Sequence, residues 1–169
     1  MQMNDKPILI CYDGSSGAAR AIETAAALVG PRRAVILDVA SSMTPAESLA
    51  GTYSAMAGAA LAETHAAEAV RIAAEGTEIA RSSGFDAVAR ATRAVPTWEG
   101  IVEIADELDA PVIVVGSRGL RGLNEALHGS VSHQVAEHAG RPVLIVPPRD
   151  KRHPNANGRS GRVRRIERC

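Results

Sequence analysis

The sequence predicts a doubly wound α/β domain built on a five-stranded parallel sheet. Three observations predict it. Short apolar runs alternate strictly with helix-like stretches along the 169 residues. The runs are continuous rather than alternating, as in strands covered on both faces. Aromatics are only 2% of a chain that is 46% hydrophobic, so the core is aliphatic.

The first run, Pro7 to Asp13 (PILICYD), reads as a buried strand closed by a Gly-Ser turn. Ser15 or Ser16 then caps a helix running to Val29. Its inward stripe is Ala18, Ile22, Ala25 or Ala26, and Val29, and Gly30-Pro31 stops it. Ala34 to Ala40 is a second buried strand. Residues 41–60 form a long small-residue connection, and a helix is predicted from Leu61 to Ser83, ended by Gly84. A weaker strand follows in DAVARATR, with its alternation at Val88. Pro96-Thr97 opens a helix carrying Ile101, Ile104 or Ala105, and Leu108 on one face. Pro111 to Gly116 is the most apolar strand. The loop after it leads to a helix near Ser130–Ala139, with Val131, Val135 and Ala139 inward and Gly140 closing it. RPVLIVPP is the last strand.

Net charge is zero but unevenly distributed. Residues 1–147 carry 11 basic and 17 acidic side chains, and residues 148–169 carry 8 and 2. A mildly acidic body therefore precedes a basic tail. The tail, 149–169, lacks apolar periodicity and is expected to be disordered in isolation and dispensable for ligand binding. The scarcity of rings excludes a stacking platform for single-stranded nucleic acid. Cys11 and Cys169 form no CxxC pair, which argues against a disulfide framework or a structural zinc site. No run of 18 apolar residues occurs and the opening MQMNDKPILI does not read as a signal peptide, so a reducing cytoplasm is the expected location.

Open α/β sheets bind ligands at the carboxyl ends of their strands, where the winding reverses. With the first and fourth strands adjacent, Asp13-Gly14-Ser15-Ser16 meets the loop GSRGLRGLNEALHGS that begins at Gly116. That loop suits a polyphosphate. Gly116 and Gly119 let the backbone approach an anion and take positive φ, and successive N–H groups can form a nest. Gly129-Ser130 opens a helix whose unpaired N–H groups and dipole favour phosphate, with Arg118 and Arg121 able to add charge. No GK[ST] follows, so this is not a Walker A loop. Nor is it the GxGxxG fingerprint, which follows a first strand.

With these residues the chain resembles the universal stress protein family, whose ATP-binding pattern G-x2-G-x9-G-[ST] is complete here as Gly116, Gly119, Gly129 and Ser130. The resemblance covers about residues 5–147 and includes DGS at 13–15 and PVLIVP at 142–147. It implies a Rossmann-like, adenine nucleotide alpha-hydrolase-like fold with strand order 3-2-1-4-5. It also implies ATP as ligand, with Mg²⁺ or Mn²⁺, and a homodimer formed through the last strand. By the same resemblance Asp13 faces the ribose and Val39 packs on or bonds the adenine. Gly116, Gly119, Gly129, Ser130 and Val131 hold the ribose and phosphates. The chain departs from the family at Cys11-Tyr12, where some nucleotide binders carry a proline, and at Asp109-Ala110-Pro111.

Plainer readings stand beside these. Asp13-Gly14-Ser15 alone is a turn with a helix cap. Ser130 is also a plausible N-cap. His65, His133 and His138 read as helix-surface or half-buried, with His128, beside Gly129, the one histidine near the phosphate loop. Cys11 reads as a small buried hydrophobe, and Glu63, Glu68, Glu75 and Glu78 as a solvated helix face. No nucleophile elbow or paired carboxylates are evident, so binding and regulation are expected rather than catalysis beyond slow ATP turnover. The rivals are an adenylyl-transferring ligase, a nucleotide-independent interaction module, and a nonspecific nucleic-acid binder acting through the tail. The first needs SGGxDS or HxGH, and DGSSGA is neither.

Overall fold

The computed structural model describes residues 6–40, 55–117 and 131–148. Nine elements alternate along it: β1 (Ile8–Cys11), α1 (Ser16–Val29), β2 (Arg33–Ala40), α2 (Ala55–Ser82), β3 (Asp86–Arg93), α3 (Thr97–Glu107), β4 (Ile113–Gly116), α4 (Val131–His138) and β5 (Val143–Val146). The five strands form one sheet in the order β3-β2-β1-β4-β5, and every pairing is parallel. This is the expected doubly wound order. It sets β1 between β2 and β4 and makes β3 and β5 the edges.

Each face of the sheet carries its own core. On one side Ile8, Ile10, Ala34, Ile36 and Val114 pack with Ala18, Ala21, Ile22 and Ala25 of α1 and Ala80 of α2. On the other, Leu9, Val35, Leu37, Ile113 and Val115 pack with Ile101, Ile104 and Ala105 of α3 and Val135 of α4. The alternation along β1 explains the continuous apolar run: successive side chains enter opposite cores. Side chains such as Ile22 and Ile36, wholly removed from solvent, each contribute on the order of 1.5–3 kcal/mol.

Helix α1 forms where its signals place it. Ser15 is the N-cap, accepting from the Ala18 N–H at 3.1 Å. Gly30 ends the helix with its N–H on the Ala26 carbonyl. The small residues of α1 let it lie close on the sheet. At Gly116 a Cβ would stand 3.1 Å from the Gly17 carbonyl carbon and 3.3 Å from the Ala18 nitrogen.

Several expectations are corrected. Helix α2 begins at Ala55, not Leu61, because the Ala-rich stretch before Leu61 has high helix propensity though no apolar stripe. Val131 is 40% exposed, and Ser132 takes the buried position at the start of α4 beside Val135. Val88 points outward from the edge strand β3 at 54% exposure, while Ala87 is buried. Gly116 is not among the described glycines with positive φ, which are Gly14, Gly30, Gly84 and Gly140. A side chain at this position would press on the first turn of α1.

The turn into β4 departs from regular structure at Asp109, a non-glycine at φ 48°. Aspartate tolerates the left-handed region better than most residues. Its carboxylate bonds Lys6, and that contact holds the carboxyl below its usual range. Arg141 gathers this corner. Its guanidinium donates to the carbonyls of Ala105 at 2.7 Å, Ala110 at 2.8 Å and Ala139 at 3.2 Å, and it also bonds Asp106. The end of α3, the start of β4 and the end of α4 are thereby tied together.

Candidate functional site

The sheet order brings the carboxyl ends of β1 and β4 side by side, with Leu9 opposite Ile113 and Ile10 opposite Val114. The chain leaves β1 through Tyr12 and Asp13, and leaves β4 at Gly116. Ser117 follows Gly116 and donates its N–H to the Val146 carbonyl at 2.9 Å. Both sequence-predicted loops thus start from one edge of the sheet, at its switch point.

Asp13 is half-buried, and its Oδ1 accepts the Ser15 N–H at 3.1 Å. Gly14, at φ 80°, makes the turn between them, a conformation that glycine adopts without steric cost. The Asp-Gly-Ser turn is therefore an Asx turn running into a helix cap, and it holds Asp13 just beyond the carboxyl end of β1. Val39 lies in β2 next to this edge, 5% exposed, within the apolar cluster on the α3 side. One of its methyl carbons lies 3.6 Å from where a Cβ on Gly100 would stand. Trp98 joins the same cluster, partly buried, and its ring stacks on His138 with centroids 4.4 Å apart.

Cys11 also packs against that cluster. Its thiol is pushed up to about 12, first by burial and then by the negative charges of Asp13 and Asp38. A thiol held protonated in this way is no nucleophile at neutral pH. Asp38 was not singled out by the sequence reading; it is a buried carboxylate, 4% exposed, in the strand beside Cys11. Only its place inside an apolar run marked it.

Sequence reasoning also missed Tyr12. Its ring is 3% exposed and lies against Gly76 of α2, and its hydroxyl donates to Glu75 Oε1 at 2.8 Å. Glu75 therefore does more than line a solvated face. Glu63, Glu68 and Glu78 are exposed as expected, with Glu68 paired to Arg71 and Glu78 to Arg81. His133 and His138 are exposed and His65 is half-buried.

Of the expected ligand-binding residues, the structure describes Asp13, Val39, Gly116 and Val131. Arg118, Gly119, Gly129 and Ser130 lie outside the described residues, as do Arg121, His128 and the tail 149–169. Val131, the first residue of α4, follows directly on that loop. Among the described residues no group of three His, Cys, Asp or Glu side chains is placed to hold a metal ion. None of the described helices is long and apolar enough to cross a membrane.

Comparison with known proteins agrees with this arrangement. Residues 5–147 match the universal stress protein family. Universal stress protein YxiE of Bacillus subtilis is 30% identical over 147 residues, spanning 82% of this chain and 97% of its own. Universal stress protein Rv1636 of Mycobacterium tuberculosis is 29% identical over 141 residues, spanning 83% and 95%. The structure of hypothetical protein MJ0577 shares the fold, with a TM-score of 0.65 at 23% identity over 87% of this chain and 99% of that one. A universal stress protein in complex with cAMP superposes with a TM-score of 0.57 at 26% identity, over 85% and 98%. A match along nearly the whole folded body, on a sheet of order 3-2-1-4-5, means that the chain belongs to the universal stress protein family.

Proposed function

We propose that this chain binds ATP at the carboxyl edge of β1, β2 and β4, and that occupancy of the site regulates its associations during the stress response. The observation that carries the reading is the adjacency of β1 and β4, which starts the Asp13 turn and the Gly116 loop from one edge. The complete glycine spacing through Gly119, Gly129 and Ser130 supports it, as does the relative solved with cAMP.

The described residues fit the nucleoside half of such a ligand. Val39, its side chain buried at the end of β2, can meet a base through its backbone, and Asp13 has a carboxylate that can accept hydrogen bonds from ribose hydroxyls. The phosphates fall to Gly116, Arg118, Gly119, Gly129, Ser130 and the start of α4 at Val131. Mg²⁺ or Mn²⁺, held mainly by the phosphates and water, needs few protein ligands. When bound it neutralises phosphate charge. The working form in this reading is a cytoplasmic homodimer joined through β5, an edge strand on which Ile145 is 39% exposed.

Titration calorimetry with ATP tests the reading, with circular dichroism to confirm folding. Gly119→Val should abolish binding, because a side chain fills the space needed for backbone–phosphate approach. Ser130→Ala loses one hydroxyl contact, about 1 kcal/mol or roughly five-fold in affinity. Asp13→Ala should weaken ATP but not inorganic tripolyphosphate. Undiminished ATP binding by a folded Gly119→Val variant removes the phosphate assignment and favours a nucleotide-independent interaction module.

A further inference from the structure

The residue before Asp13 is clamped by more contacts than a strand end requires. The Tyr12 N–H donates to the Leu37 carbonyl at 2.9 Å. Its ring lies beneath Gly76 so closely that a Cβ there would stand 2.6 Å from both Cγ and Cδ1, and 2.9 Å from an Ile36 methyl. Only glycine in this turn of α2 admits the ring. The hydroxyl ends on Glu75, whose other oxygen lies 3.4 Å from Arg71, itself bonded twice to Glu68 at 2.7 and 2.9 Å. A polar chain thus runs from the base of the candidate site along two turns of α2. Burial and the Glu75 bond push the Tyr12 hydroxyl up to about 12, so it remains a donor across the physiological range.

Asp13 sits between two restraints. Downstream, its carboxylate is fixed to the Ser15 N–H across the Gly14 turn. Upstream, the Tyr12 clamp holds the backbone where it leaves β1. Gly14, at φ 80°, brings no side-chain contact of its own to the turn, which leaves the Tyr12 seat to bear on where the Asp13 carboxylate lies.

We propose that Tyr12 is a positioning residue for the Asp13 carboxylate, and that its seat on Gly76 and Glu75 makes α2 the element that sets affinity for the nucleoside half of the ligand. The proposal deepens the ATP-binding reading and rests on it. A helix on one face of the sheet would thereby control a site at the sheet's edge without touching the ligand.

The test uses the full chain and four substitutions: Tyr12→Phe, Glu75→Gln, Glu75→Ala and Asp13→Ala. Tyr12→Phe keeps the ring and loses the hydroxyl. It should lower ATP affinity roughly three- to ten-fold and leave inorganic tripolyphosphate affinity unchanged. Glu75→Ala should act likewise, and Glu75→Gln, whose carbonyl still accepts the bond, should restore most of the affinity. In the Asp13→Ala background Tyr12→Phe should cost nothing further, because the two act through one carboxylate. A purely structural role would weaken tripolyphosphate as well and would add to Asp13→Ala. Amide exchange without ligand provides a second measurement: in Tyr12→Phe the Ser15 N–H should exchange faster relative to the amides of β1. Unchanged ATP affinity in Tyr12→Phe, an equal loss in both backgrounds, or an unaltered Ser15 amide overturns the proposal. Failure of the parent protein to bind ATP at all is a separate result. It overturns the underlying functional reading, and the proposal falls with it.

Discussion

Gly116 separates a glycine required by a ligand from one required by the fold, and Gly116→Ala tests which it is. A Cβ at this position would lie 3.1 and 3.2 Å from the carbonyl carbon and oxygen of Gly17, and 3.3 Å from the Ala18 nitrogen. Ordinary carbon contacts fall near 3.5–4.0 Å, so the first turn of α1 must retreat by about 0.4 Å. It cannot do so freely. Ser15 caps it, and Ala18, Ala21 and Ile22 are packed on the sheet. Overpacking of this kind costs about 1–3 kcal/mol. Loss of unfolded-state freedom on replacing glycine returns about 0.4–1 kcal/mol, so the net loss falls within about 0–2.6 kcal/mol and the midpoints give about 1.3 kcal/mol. Urea unfolding of the ligand-free protein, at fixed protein concentration, should record that loss with an unchanged m-value. In thermal unfolding it corresponds to a fall of roughly 2–8 °C. ATP affinity should fall as well, because the turn that must move carries Ser15, to which Asp13 is bonded. If the ligand-free variant is as stable as the parent, the packing argument is wrong, and only approach to a ligand accounts for glycine at this position.

Four further outcomes are expected. Arg141→Met removes the donor to three carbonyls and should destabilise the protein by about 2–4 kcal/mol, whereas Arg71→Ala, whose ion pairs are exposed, should change stability little; similar thermal shifts for the two would refute the corner's role. In a Cys169→Ser background, native Cys11 should react with iodoacetamide at pH 8 about a thousand-fold more slowly than an unfolded thiol, since a pKa of about 12 leaves about one thiolate in ten thousand. The folded chain keeps the Cys11 proton that the unfolded chain releases above about pH 8.5, so this group's contribution to stability declines as pH rises from there toward 12. Ile145→Lys places a charge on the exposed edge strand and should shift sedimentation at micromolar concentration toward the monomer; a monomeric parent protein would end the dimer reading.

The inner strands β1, β2 and β4 were legible because each crosses the sheet with alternate residues in two different cores, which makes a continuous aliphatic run. The caps of α1 were legible because Ser15 and Gly30 act on neighbours three or four residues away. Where the cause lay far along the chain, the sequence was silent. Tyr12 and Glu75 are 63 positions apart, and Arg141 reaches 36 positions back to Ala105; no local pattern encodes either. Gly116 was singled out from its spacing, and the ligand was given as the reason. The helix passing over it is a second reason that only the tertiary arrangement reveals. Val131 failed for a narrower cause. At the first turn of a short helix, one residue of phase decides whether a valine or a serine faces the core, and Ser132 took that place.

The stack of Trp98 on His138 has a spectroscopic consequence. The chain contains one tryptophan, so its indole emission has a single source. That source lies in the same apolar cluster as Val39 and bridges α3 to α4. An imidazole stacked 4.4 Å from the indole is close enough to quench it, so changes in their overlap should alter the emitted intensity. The protein thus carries an intrinsic optical gauge in the apolar cluster that includes Val39, one that an ATP titration can read without attaching a dye.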